Sequence, residues 1–177
     1  RRRGNASARP CGAQDGPSEV GMGAEIERKF LVEGDSWRAH AHAPQRLRQG
    51  YIGRGPDAVV RVRTIGARAF LTIKSPGVSL ARAEYEYAIP PKDAEELLAN
   101  ACAGQCIEKT RHQIEWDGLD WVIDEFNGPL EGLVLAEIEL YATDQDIELP
   151  AWAGREVTGV AGYSNEQLAL AEEPPLL

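Results

Sequence analysis

Seven short stretches of this 177-residue chain alternate charged with apolar or neutral residues. They are Glu25-Ile26-Glu27-Arg28-Lys29, Arg61-Val62-Arg63, Thr72-Ile73-Lys74, Glu84-Tyr85-Glu86, Lys109-Thr110-Arg111, Val122-Ile123-Asp124 and Glu137-Ile138-Glu139. In an extended strand successive side chains point to opposite faces, so each stretch gathers its charges on one face and its apolar residues on the other. One such strand is a surface strand. Seven in one small chain, with acids and bases both paired, predict a barrel whose interior holds the charges and whose outer wall is packed by other elements. Such an interior suits a polyanion that carries metal ions.

The length fits one domain that can bury its own core. The net charge of −9 and the pI near 4.9 argue against general binding to nucleic acid or to an anionic membrane. A polyanion must therefore be attracted locally, by clustered Lys and Arg and by metal ions. Cys11, Cys102 and Cys106 form an odd set without the spacing of a secreted disulfide framework, which points to reduced thiols and a cytoplasmic setting. Cys102 and Cys106 lie four apart, but two thiols without further ligands make a weak metal site. No apolar run approaches a membrane span.

Residues 1–23 read as an extension without fixed structure, rich in Gly, Ala, Ser and Pro. Met22 is the sole methionine, and the simplest expectation is a natural start there, with residues 1–21 upstream of it. Residues 24–171 form the domain and residues 172–177 a tail. Within the domain the patterns predict eight strands, over 24–32, 47–52, 59–65, 69–74, 83–89, 106–116, 119–126 and 133–141. Asp35 or Ser36 caps a helical turn carrying Trp37. Pro90-Pro91 ends the sheet and opens a helix over 92–102, with Ala94, Leu97, Leu98 and Ala101 on one apolar face. Short helices are expected over 150–157 and 165–171. The fold class is α+β, mainly β: an eight-stranded antiparallel barrel with helices packed outside.

Two carboxylates two residues apart on a strand project from one face, and two such strands supply four hard oxygen ligands, a set suited to Mg²⁺ or Mn²⁺. Glu25, Glu27, Glu137 and Glu139 fit this role, and Glu84, Glu86 and Asp124 add acidity. Lys29, Arg61, Arg63, Lys74, Lys109 and Arg111 have the parity to share that face and to grip the successive phosphates of a triphosphate. There is no Walker loop, and Gly50-Tyr51-Ile52-Gly53-Arg54-Gly55 precedes no helix, so the grip falls to side chains on strands. His40 and His42 lie in a polar connector and His112 has the opposite parity to Arg111, so surface roles are expected for all three. Hydrolysis would then use metal-activated water or a carboxylate base.

These residues resemble the CYTH family, the triphosphate tunnel metalloenzymes, in their short bacterial form. The resemblance starts at the ExExK pattern Glu25-Ile26-Glu27-Arg28-Lys29. It continues through Gln49-Gly50-Tyr51-Ile52, Arg61-Val62-Arg63, Leu71-Thr72-Ile73-Lys74-Ser75, Glu84-Tyr85-Glu86, Glu108-Lys109-Thr110-Arg111, Asp124, Ala136-Glu137-Ile138-Glu139, Glu156-Val157-Thr158-Gly159 and Tyr163-Ser164-Asn165. It implies a tunnel in which Glu25, Glu27, Asp124, Glu137 and Glu139 hold Mg²⁺ or Mn²⁺. Lys29, Arg61, Arg63, Lys74, Lys109 and Arg111 would bind a small-molecule triphosphate, and Glu84, Glu86, Asp124 and Lys29 would act in catalysis. The implied enzyme is a metal-dependent triphosphatase cleaving tripolyphosphate to diphosphate and phosphate, with no nucleic-acid or membrane partner. The chain departs from the pattern at Gly159-Val160-Ala161-Gly162, where relatives tend to carry charges, and at His112, where an aromatic is expected.

Thiamine or nucleoside triphosphates, or ATP cyclisation, would fit the same tunnel. A non-catalytic polyphosphate binder is the reading from another class, and it has little use for so many carboxylates. A homodimer is left open. Removing residues 1–21 is expected to leave the melting temperature unchanged, as followed by circular dichroism, because that stretch lacks the apolar content to offset the cost of ordering it.

Overall fold

The alternating stretches become strands, and the strands share one sheet. A computed structural model of the chain describes residues 26–55, 58–74, 84–142 and 144–176. Glu25, Cys11, the expected N-terminal extension and the expected turn at Ser75-Pro76-Gly77 lie outside these residues. In chain order the strands are β1 (Ile26–Val32), β2 (His42–Arg54), β3 (Val59–Ile65), β4 (Arg68–Lys74) and β5 (Glu84–Ala88), then β6 (Cys106–Trp116), β7 (Leu119–Phe126), β8 (Val134–Leu140) and β9 (Ala153–Glu156). Helix α1 spans Pro91–Asn100 and helix α2 spans Asn165–Leu168. Among the described residues no helix is long and apolar enough to cross a membrane.

All strand pairings are antiparallel, in the order β5-β4-β3-β2-β6-β7-β8-β1-β9. The mainly antiparallel β architecture with few helices is therefore the one expected. Eight strands correspond to the eight predicted, and a ninth is added. Within the described residues the ladder ends at β5 on one side and β9 on the other, and no pairing joins these two strands. Hairpin β6–β7 turns through Asp117 (φ 52°) and Gly118 (φ 71°), the left-handed pair that suits a tight turn between twisted strands.

The sheet has two different faces. On one face, Phe30, Trp37, Ile114, Trp121, Ile123, Ala136, Ile138 and Trp152 form an apolar cluster, and Trp121 meets Trp152 edge-on at 5.1 Å between ring centroids. Farther along the same face Val62 and Ala69 are covered by Ala94 and Leu98 of α1, with Cys102 beside them. The opposite face carries the charges along most of its length. At one end it turns apolar, where Tyr51, Ile107, Phe126 and Leu135 pack with Val157, Tyr163, Leu168 and Ala169.

That packing corrects two expectations. Residues 150–157 were expected to be helical, but Ala153–Glu156 form β9 and pair with β1. Local sequence could not see the open edge of β1, whose backbone groups need partners, and this tertiary demand outweighs helix propensity. The helices also divide between the faces. α1 lies outside as expected, while Leu168 of α2 and the following Ala169 lodge against the charged face's apolar end.

Cys102 and Cys106 do come together, at Gly50. A methyl group on Gly50 would stand 2.7 Å from Cys106 Sγ and 2.8 Å from Cys102 Sγ. Gly50, in the stretch that precedes no helix and so does not read as a phosphate loop, is a packing glycine. Gly50→Ala is expected to cost about 1–3 kcal/mol of unfolding free energy in a urea titration, with part of the loss recovered when Cys102→Ala and Cys106→Ala together remove both sulfurs.

Candidate functional site

Register places the charges. Arg61 and Arg63 on β3 face Tyr51 and Gln49 of β2, and on the other side of β2 Leu47 and Gln45 face Lys109 and Arg111 of β6. Opposed residues in an antiparallel pair share a face. Two cationic pairs thus flank the stretch Gln45, Leu47, Gln49 and Tyr51 of β2, which is neutral on this face. Like charges held this close favour an anion between them, and Arg63 reports the crowding: burial, then the Arg61 charge, pulls its guanidinium below the usual range.

Each pair is held by carboxylates on its far side. On the β3 side, Arg63 Nη2 donates to Glu86 Oε2 at 2.9 Å, Arg61 Nη2 lies 3.4 Å from Glu84 Oε1, and Lys74 Nζ lies 2.9 Å from Glu84 Oε2. Thr72 Oγ1 donates to Glu86 Oε2 at 2.9 Å. The Nε atoms of Arg61 and Arg63 are buried without a hydrogen-bond partner among the described residues.

On the β6 side the centre is Asp124, with a side chain only 1% exposed. Its Oδ1 accepts from Arg111 Nε at 2.8 Å, and its Oδ2 accepts from Arg111 Nη2 at 2.8 Å and from Lys109 Nζ at 2.5 Å. Burial alone would push the carboxyl up, but the Lys109 charge and the hydrogen bonds from Arg111 overcome it and hold Asp124 at about 2. Burial draws Lys109 below its usual range despite the nearby carboxylates. The network continues from Arg111 to Glu137 at 3.3 Å, and from Glu137 through Lys29 at 2.9 Å to Glu27 at 3.2 Å.

The predicted residues within the described regions are therefore brought to one face, in two banks. Glu27, Lys29, Lys109, Arg111, Asp124, Glu137 and Glu139 form one bank, and Arg61, Arg63, Lys74, Glu84 and Glu86 the other. Glu27 and Glu139 stand directly opposite each other across β1 and β8. Partial burial, then the Glu137 charge, raises the Glu27 carboxyl, with Lys29 pulling the other way. Among the described residues no three metal-ligand side chains converge as a ready cage, since the Lys29 ammonium stands between Glu27 and Glu137. Arg28 faces the other way and pairs with Glu156 through bonds of 3.0 and 2.7 Å. His112 also lies on that face, bonded to Glu125 at 2.7 Å and stacked edge-on to Trp37.

Sequence patterning missed several polar groups of this face. Asn165 Oδ1 accepts from Lys109 Nζ at 3.1 Å, from a helix with no strand parity to follow. Gln49 Nε2 donates to Tyr51 Oη at 3.1 Å, and both side chains are buried. Arg54 lies beyond the strand expected over 47–52. A register shift between Tyr51 and Gly53 sets it opposite Val59, in line with Arg61 and Arg63, and its guanidinium lies 4.7 Å over the Tyr51 ring. A bulge of this kind leaves no mark in an alternation pattern.

The family model for the CYTH domain matches residues 23–170. The chain is 44% identical over 147 residues to the inorganic triphosphatase of Acetivibrio thermocellus, covering 83% of this chain and 94% of that one. Among solved structures, that of the inorganic triphosphatase NE1496 superposes with a TM-score of 0.64 at 37% identity, covering 85% of this chain and 97% of the other. A putative adenylyl cyclase from Hippeastrum with a dominant triphosphatase activity aligns at a TM-score of 0.51 and 18% identity, over 67% of this chain and 80% of that one, a likeness of fold.

The buried Asp124 makes an acid-stability prediction. Its folded pKa lies below the ordinary 3.8, so its stabilisation is complete above that value and is lost as pH falls toward about 2. Asp124→Asn strands Lys109 and Arg111, and is expected to cost about 3–5 kcal/mol at neutral pH. Urea titrations at stepped pH should show the variant with a flatter loss of stability across that acid window than the wild type.

Proposed function

The chain belongs to the CYTH domain family, and on that premise we propose that it is a metal-dependent triphosphatase that cleaves inorganic tripolyphosphate to diphosphate and phosphate. The observation that carries this reading is the pair of cationic pairs across the neutral residues Gln45, Leu47, Gln49 and Tyr51 of β2, with the buried Nε donors of Arg61 and Arg63 unpartnered among the described residues. A linear triphosphate presents successive phosphoryl groups, and two banks of bases grip them along its length. The similarity to the Acetivibrio thermocellus inorganic triphosphatase supports tripolyphosphate as the substrate.

The carboxylates fit a hard divalent cation. Glu27, Glu137 and Glu139 would hold it, joined by Glu25 on the sequence pattern, and the raised Glu27 carboxyl is the kind of crowding that a cation relieves. Mg²⁺ or Mn²⁺ bound there would withdraw charge from the phosphoryl oxygens. Asp124 was expected among the ligands. Both its oxygens accept from Lys109 and Arg111, as those of Glu137 do from Lys29 and Arg111, so Asp124 would also hold those two cations in place beside the metal.

Arg61, Arg63 and Lys74 bind the phosphates from one bank, and Lys29, Lys109 and Arg111 from the other. As phosphate oxygens take over Arg61 and Arg63, Glu84 and Glu86 are released from them. One of these carboxylates accepts a proton from the attacking water. The water oxygen bonds to the terminal phosphorus, the bridging P–O bond breaks, and diphosphate leaves with the electron pair. The protein's contribution is mainly position and charge, as in phosphoryl transfer generally. We place the reaction in the cytoplasm, where the free thiols of Cys102 and Cys106 stay reduced.

Phosphate release from tripolyphosphate, ATP and thiamine triphosphate with Mg²⁺ or Mn²⁺ tests this directly, and tripolyphosphate should be turned over fastest. Arg63→Ala should lower that activity at least about tenfold, a transition-state loss of roughly 1.4 kcal/mol. Arg28→Ala, on the face away from the substrate, should not. Equal loss in both variants under saturating metal would place the substrate on the wrong face.

The carboxylates carry a separate prediction. Glu27→Gln and Glu139→Gln, nearly isosteric and one charge short, should fold normally by circular dichroism yet lose turnover at limiting Mg²⁺. Near-normal rates in either folded variant would remove it from the metal site.

A further inference from the structure

Lys109 is fully buried, its side chain 1% exposed, and on β6 it stands opposite Leu47 of β2, at the side of its bank that borders the neutral stretch of the charged face. An ammonium has three N–H donors. One goes to Asp124 Oδ2 at 2.5 Å and one to Asn165 Oδ1 at 3.1 Å, so the direction of the third is fixed by these two partners. The Phe126 ring, 5.2 Å from Nζ, backs the same ammonium.

The second partner comes from outside the sheet. Asn165 is the first residue of α2, and α2 has little freedom to move. Ser164 Oγ accepts from Gln167 N at 3.2 Å, and Leu168 and Ala169 pack with Ile107, Phe126 and Leu135. Ile107 and Phe126 belong to the strands that carry Lys109 and Asp124, so α2 and the lysine share one packed wall. The residue type is informative too. A carboxylate at 165 would accept the same hydrogen bond but would add a negative charge beside the lysine that repels a polyanion. A carboxamide orients the ammonium and leaves its charge intact.

We infer that Asn165 is a positioning residue, which aims the Lys109 ammonium at the triphosphate without neutralising it. The inference rests on the charged face being the triphosphate site.

The test combines a double-mutant cycle with a readout independent of turnover. Asn165→Leu should lower kcat on tripolyphosphate at least about tenfold, roughly 1.4 kcal/mol, while KM moves less than about threefold. The same substitution placed in Lys109→Ala should lower kcat no further, because its effect runs through the lysine. Asn165→Ala, which removes the acceptor without adding a branched side chain, should repeat both results. Asn165→Asp should keep kcat within about threefold and raise KM about tenfold, since it restores the acceptor and adds a repelling charge.

In parallel, lysine-¹⁵N NMR should show a slowly exchanging Lys109 ammonium in the wild type and in Asn165→Asp, and lose it in Asn165→Leu and Asn165→Ala. Wild-type kinetics in Asn165→Leu, or an equal loss in the Lys109→Ala background, would overturn the inference and leave Asn165 a docking residue of α2. If the wild type hydrolyses no triphosphate, the proposed function fails. The NMR signal then decides separately whether Asn165 orients the lysine, and its persistence in both the Leu and Ala variants would overturn that as well.

Discussion

A carboxylate with 1% of its side chain exposed holds a lysine and an arginine at the centre of the charged face, and the rest of the site depends on that contact. Burying charge is costly unless each group is paired and hydrogen-bonded. Asp124 meets the condition with three accepted hydrogen bonds, and Arg111 extends it to Glu137, Lys29 and Glu27. The consequence is a set of cations oriented before any anion arrives. Such preorganisation spares the reaction the cost of turning dipoles and side chains at the moment of transfer.

The β3 side is built differently. Glu84 and Glu86 are partly exposed, and their contacts to Arg61 and Arg63 range from 2.9 to 3.5 Å. Solvent screens such pairs, and they exchange partners at small cost. One bank is therefore fixed and the other adaptable. Under the proposed function, a substrate would dock against the fixed cations of the β6 side and displace the carboxylates of the β3 side, freeing them for proton transfer.

The apolar face makes this arrangement affordable. Phe30, Trp37, Trp121, Trp152 and their neighbours, together with the α1 cluster, supply the burial that a sheet with one charged face cannot supply by itself. The C-terminal residues extend the same logic to the charged face. β9 satisfies the edge of β1, and Val157, Tyr163, Leu168 and Ala169 cover the apolar end of the charged face. The segment that finishes the fold is thus also the one that delivers Asn165 to Lys109.

The alternation pattern was enough to find the strands of the charged sheet and to say which side chains share a face. The parity of Lys29, Arg61, Arg63, Lys109, Arg111 and Asp124 follows from a period of two, which survives any global arrangement of strands. Tertiary structure alone decided how those charges are partnered. Strand order sets which residues oppose each other, so it alone puts Arg61 and Arg63 beside Tyr51 and Gln49, puts Lys109 and Arg111 beside Leu47 and Gln45 on the other side of β2, and buries Asp124 with Lys109 and Arg111. The same holds for β9 at residues that read locally as helix, for Arg54 carried onto the face by a register shift, and for Asn165 arriving from α2. Each depends on a partner distant in the chain, and the energy that selects it is absent until the sheet has formed.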